Sequence, residues 1–292
     1  MERSISKPIQ PSLWSSQKRI LACLNRYLTL PSVIKGWTTP SSMRPRSLNV
    51  WLFAFFQLWL AHAIGYLVHE YAHSFTAWAL HGMANPLALD YGRLRLENLL
   101  FLDDIDENVD YRTLFAAGRD HVAALSAVAG VLLGNGLSYL ASLLLYARAK
   151  RIQSRWWGLF AFWLCIMSVG NFLGYVPIRT FTTHADMAYL ARGFHLSPWI
   201  IALGLGVPFA AALVHFLVRI LPDAERFLLT DDLPLRPVLV ILTTYLIFCF
   251  FGGSGIHNYG PVSYWLSACC LYLLFPIVTI LCWQRPLPVE LR

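Results

Sequence analysis

Long runs without a charged side chain recur six times in this chain, and they constrain its fold more than any other feature. They are Leu48–Leu80, broken only by Glu70, then Val122–Tyr146, Trp156–Val176, Pro198–Val218, Val238–Phe251 and Ser263–Trp283. A helix needs about 20 apolar residues to cross the hydrocarbon of a bilayer. With no water there to satisfy the backbone, such a segment must close its own hydrogen bonds as a helix. The charge-free stretch from Pro237 to Gln284 is too long for one span. Gly252-Gly253-Ser254-Gly255 and Asn258-Tyr259-Gly260-Pro261 divide it with turn residues. Composition agrees: 13% of residues are charged, against roughly a quarter in soluble domains. The expected fold is an all-α polytopic membrane protein of about six transmembrane helices.

The formal net charge of +7 is no nucleic-acid signature, because of where the charges lie. Arg3, Lys7, Lys18, Arg19, Arg26, Lys35, Arg44 and Arg46 crowd the N-terminal tail. Arg148, Lys150, Arg151 and Arg155 crowd the link between the second and third spans. Basic loops of this kind set membrane orientation. With the acidic loop Gly82–Asp120 between them, they put the N-terminus in the cytoplasm. Within the tail, Ser12–Leu30 sets Leu13, Ile20, Leu21, Leu24, Tyr27 and Leu28 beside Lys18, Arg19 and Arg26. That is the pattern of a helix lying on an anionic membrane surface; a disordered basic tail or an organellar transit peptide shares the composition. No C-x-x-C pair occurs among the six cysteines. All but Cys23 fall in apolar segments and read as small buried hydrophobes rather than thiolate ligands.

His69-Glu70-Tyr71-Ala72-His73 lies inside the first span. Its spacing puts two imidazoles one helical turn apart on the same face, the geometry that grips one metal ion. The intervening Glu70 is near enough to act on a metal-activated water. Buried in hydrocarbon, these groups are costly unless paired or coordinated, of order 2.5–3.5 kcal/mol for a central charge on insertion scales. The motif therefore points to a metal-dependent hydrolase working inside the bilayer.

His69-Glu70-x-x-His73, followed two spans later by Asn171, Pro177 and Asp186, resembles the site-2 protease family of intramembrane zinc metalloproteases. Ala129-Gly130-Val131-Leu132-Leu133-Gly134-Asn135 is similar to the small-residue Gly/Asn stretch of that family's middle helix, without the Pro that usually follows the Gly. The resemblance covers about Leu48–Phe194. It implies a three-helix metalloprotease core over residues 48–194, preceded by the basic tail 1–47 and followed by three further helices and a short C-terminal tail, 195–292. It implies a Zn²⁺ held by His69, His73 and Asp186, Glu70 as general base, and Asn171 positioning the chain of a transmembrane protein substrate. A multi-pass protein of a bacterial inner membrane is the expected setting. This sequence departs from the family in the spacing from Asn171 to Asp186 and in the absence of a Gly after Asp186.

Other readings attach to the same residues. Thr183-x-x-Asp186 is a capping-box-like pattern, which would make Asp186 a helix cap and His184 the reserve ligand. Asn171 could simply hydrogen-bond between helices. His62 and His81 read as interfacial, and Arg179 as the anchor of a helix end. Leu87-Ala88-Leu89 and Arg93-Leu94-Arg95-Leu96, alternating around Asp90-Tyr91-Gly92, predict a short β-hairpin able to pair with an unwound substrate. Asp103-Asp104-Ile105-Asp106-Glu107 reads as a solvated turn. Two other functions compete with proteolysis. One is a non-catalytic pseudoprotease that binds membrane clients. The other is a membrane di-iron oxygenase or desaturase, for which His69-x-x-x-His73 would be one histidine box without its usual H-x-x-H-H companion.

Overall fold

A computed structural model describes residues 48–229 and 235–285. The tail 1–47, with its amphipathic segment Ser12–Leu30, lies outside the described residues. The regular elements of the described chain are all helices. They include α1 (Leu48–Ala79), α4 (Asp120–Arg151), α5 (Arg155–Ile178), α7 (Pro198–Leu228), α8 (Arg236–Gly255) and α9 (Gly260–Gln284), each long and apolar enough to cross a membrane. Three short helices fill the connections: α2 (Leu96–Phe101), α3 (Tyr111–Ala116) and α6 (Asp186–Gly193). The six expected spans thus all form. Their starts follow helix-entry chemistry: Pro198, Pro237 and Pro261 each fall in a first turn, where proline gives up no needed hydrogen bond.

α5 is the enclosed helix. Its Ala161, Phe162, Cys165, Ile166 and Val169 have no exposed surface, and it packs against α4, α7 and α8. α1 behaves differently, turning Trp51, Phe53, Phe55 and Phe56 outward, as a helix facing lipid tails would. Charged side chains tie the helix ends opposite the Gly82–Asp120 loop. Lys150 at the end of α4 reaches Asp223 of α7 at 2.7 Å. Arg236 at the start of α8 reaches the buried Glu225 of α7 at 3.0 Å and donates to the carbonyls of Cys282 and Arg285.

The loop after α1 is not the hairpin that its alternation predicts. Among the described residues its only strand-like pairing is a single bridge between Asp90 and Asp106. The residues expected to form the second strand enter α2 at Leu96 instead. Asn98 Nδ2 takes up the carbonyls of Tyr91 and Arg93, and the loop then runs beside α1. Trp59 Nε1 donates to Leu99 O, His62 Nε2 to Phe101 O, Tyr66 Oη to Ile105 O and Ser74 Oγ to Glu107 O, at 2.9–3.2 Å. Side chains of one helix thereby satisfy carbonyls that a partner strand would have taken. The result is a strap laid along α1 from Leu99 to Glu107.

Candidate metal centre

Glu70 lies nine residues before the end of α1, about 14 Å along the axis at the α-helical rise. The motif is therefore well inside an apolar span. His69, Glu70 and His73 are 2%, 5% and 1% exposed. The turn after α5 delivers the third donor. His69 Nε2 lies 3.0 Å from His73 Nε2, and Asp186 Oδ2 lies 3.4 Å and 3.5 Å from the two nitrogens. A tetrahedral zinc with bonds of about 2.0–2.1 Å separates its ligands by about 3.3–3.4 Å. The three atoms thus match one face of such a site. Asp186 Oδ2 is buried without a hydrogen-bond partner, and a cation at the triangle is the partner it lacks.

The surroundings fit the same group. His73 Nδ1 lies 2.7 Å from the carbonyl of Ser126. A carbonyl only accepts, so Nδ1 carries the proton and Nε2 keeps its lone pair for the centre. His69 Nδ1 meets the side-chain amide of Asn135 at 3.0 Å, and Asn135 meets Asn171 Nδ2 at 3.3 Å. The tautomer of His69 that frees Nε2 needs Oδ1 of Asn135 at this contact. Exchanging the amide ends of Asn135 and Asn171 together provides it without moving an atom's place.

α4 reaches this depth through a local change of winding. Gly130–Asn135 forms a π-helical segment, of the kind that recurs at functional sites. Gly130 and Gly134 let the backbones of α4 and α1 touch. A Cβ at Gly130 would stand 2.2 Å from His73 Nε2, and one at Gly134 2.8 Å from the Cα of His69.

Of the residues singled out from the sequence, His69, His73 and Asp186 converge, and they form the one group among the described residues that could hold a metal ion. Glu70 sits beside them. Asn171 contacts Asn135, one hydrogen bond behind His69. Asp186 opens α6 without acting as its cap, and Thr183 is exposed. His184 is also exposed, stacked on Tyr259 at 5.0 Å and away from the triangle. The backbone explains the choice: Ala185 has φ 70° and ψ −179°, a conformation nearly confined to glycine, and this turn sends Asp186 inward. His62 is occupied by the strap, and His81 by its own turn at φ 56°.

Three participants escaped the sequence reading. Asn135 was visible only as part of a small-residue stretch. Glu107 belongs to the acidic run read as a solvated turn, yet it is 8% exposed. Burial raises its pKa, and Asp186 and Asp106 add to that against the pull of His73. The signal was the alternation of Ile105, Glu107 and Val109, all three buried, on one face of an extended segment. Arg179, read as the anchor of a helix end, stands just past the end of α5, and its guanidinium lies between the rings of Tyr175 and Tyr259.

Comparison of the chain with protein-family models, curated proteins and solved structures finds no match. Fold and centre by themselves define an all-α polytopic membrane protein with six helices, among the described residues, long and apolar enough to span a bilayer. It carries a buried group of two imidazoles and one carboxylate that could hold a metal ion.

Proposed function

We propose that this chain is an intramembrane zinc metalloprotease that hydrolyses peptide bonds of membrane-embedded protein substrates. The observation that carries the reading is the His69–His73–Asp186 triangle, whose two imidazoles flank Glu70 within a spanning helix. Two imidazole nitrogens and a carboxylate oxygen, with a fourth position open, are the donor set of catalytic rather than structural zinc sites. Bound there, zinc supplies Lewis-acid polarisation of a carbonyl and acidification of a water.

The chain's own residues supply the rest. Glu70 takes the proton that the attacking water loses and returns it to the leaving amine. It directly follows His69 on the same helix and is buried with the two imidazoles. Ser126 and Asn135 hold the two imidazole rings. Asn171, reaching Asn135 from α5, couples a substrate-positioning residue to the orientation of His69.

The test is metal content and cleavage in detergent-purified protein. Wild type is expected to hold about one zinc per chain, as a three-ligand catalytic site does, and His73→Ala and Asp186→Ala to lose it. Glu70→Gln is expected to keep the metal and lose cleavage. Cleavage that survives Glu70→Gln removes the general-base role. Two irons per chain, or no metal in a well-folded sample, overturns the reading.

A further inference from the structure

Arg179 follows the last residue of α5, one turn beyond Tyr175. Its Cζ lies 4.8 Å from the Tyr175 ring centre and 4.6 Å from that of Tyr259. Tyr175 in turn lies 4.4 Å from the His69 ring, and Tyr259 carries the exposed His184 on its plane. A run of planar groups, His69–Tyr175–Arg179–Tyr259–His184, thus leads from a metal-ligating imidazole to the protein surface.

The two rings account for the faces of the guanidinium, but for none of its N–H groups. Nε is buried without an acceptor. No carboxylate among the described residues forms an ion pair with Arg179. Arginine stays charged in proteins, and this half-buried guanidinium has donors left without an acceptor. What remains open is the in-plane fork of donors, and a carboxylate fits that fork with two parallel hydrogen bonds.

We propose that Arg179, clamped between Tyr175 and Tyr259, is the subsite that receives a carboxylate of the bound peptide. This inference rests on the peptidase reading above. Arg179 lies two stacking steps from His69, and an extended chain advances about 3.3–3.6 Å per residue. The acid therefore lies two or three residues from the bond being cut. Either an Asp or Glu side chain or a terminal carboxylate supplies the chemistry.

The experiment uses full-length, zinc-loaded Glu70→Gln protein in detergent, so that binding is read without turnover. The probes are fluorescent apolar hexapeptides carrying one Asp at each position in turn, their Asn counterparts, and a pair with free or amidated C-terminus. One Asp position, or the free terminus, is expected to bind about tenfold tighter than its neutral partner, the ratio a charge-assisted hydrogen bond of ordinary strength gives. Which of the two does so identifies the source. A further Arg179→Gln change is expected to abolish the preference, and Arg179→Lys to restore part of it, with zinc content unchanged in both. Equal affinity for charged and neutral probes, binding of neither, or a preference that survives Arg179→Gln overturns the subsite. So does Arg179-dependent displacement of the Asp peptide by phosphatidylglycerol but not phosphatidylcholine nanodiscs, which assigns the fork to a lipid phosphate. An Arg179-dependent preference in a protein whose Glu70 form cleaves no peptide keeps the subsite and removes the peptidase reading. Cleavage without acid preference does the reverse.

Discussion

Gly130 stands against His73 so closely that a Cβ on it would lie 2.2 Å from Nε2 and 2.5 Å from Cε1, with His69 Cε1 at 2.7 Å. The α4 backbone is therefore one wall of the metal centre. Alanine at this position would gain up to about 1 kcal/mol of helix propensity, but overpacking costs typically about 1–3 kcal/mol, so the clash decides the sign. Gly130→Ala is expected to lower the melting temperature and displace the imidazoles, read as loss of bound zinc. Gly136→Ala is the control. Its nearest neighbour would be 3.8 Å away, so it should be neutral or slightly stabilising with metal retained. Normal zinc content in Gly130→Ala would contradict the close approach.

Asn135 acts through His69. Partners of a metal-bound imidazole typically change metal affinity by about 10–100-fold when removed. Asn135→Leu keeps the volume roughly and removes the contact to Nδ1, so zinc affinity measured by competition with a chelator should fall within that range. Asn171→Leu, one hydrogen bond further out, should fall less. Equal affinity in the wild type and Asn135→Leu would show that the ring is held by packing alone.

Ala185 occupies a backbone conformation that costs a residue with a side chain about 1–3 kcal/mol. Glycine relieves that strain and loses about 0.4–1 kcal/mol through greater freedom of the unfolded chain. Ala185→Gly is therefore expected to raise the melting temperature modestly and keep the metal. Ala185→Val, branched at Cβ, should lower both stability and zinc content as Asp186 is turned away. A destabilised glycine variant would argue against the strained turn.

Glu107 carries a pH dependence whose sign follows from its raised pKa. Above the unfolded value of about 4.3, the folded protein holds a proton that the unfolded chain has released. Stability therefore falls as pH rises through that window, and the penalty is complete above the folded pKa. In chelator-stripped protein, Glu107→Gln should melt higher than wild type at neutral to alkaline pH. Its advantage should vanish as pH drops below the ordinary carboxyl range. An advantage that does not change with pH would mean that Glu107 is stabilised by an unrelated contact.

The six spans and the pairing of His69 with His73 were legible in the sequence because both are local properties. Insertion into hydrocarbon depends on the length and apolarity of each segment, and two residues four apart in a helix share a face wherever that helix packs. What lies between segments was decided by the tertiary structure. Asp186 is the expected donor on paper and His184 the reserve; the left-handed backbone of Ala185 turns Asp186 inward and leaves His184 on Tyr259. The predicted hairpin had the right alternation, but Trp59, His62, Tyr66 and Ser74 of α1 captured the loop's carbonyls and made a strap of it. Glu107 became buried because that strap turns it beneath the surface, and Arg179 met Tyr259 from the turn before α9 as well as Tyr175 of its own helix. A side chain's neighbours across helices carry no periodic signature, so the candidate ligands could be named from the sequence while their enclosure could come only from packing.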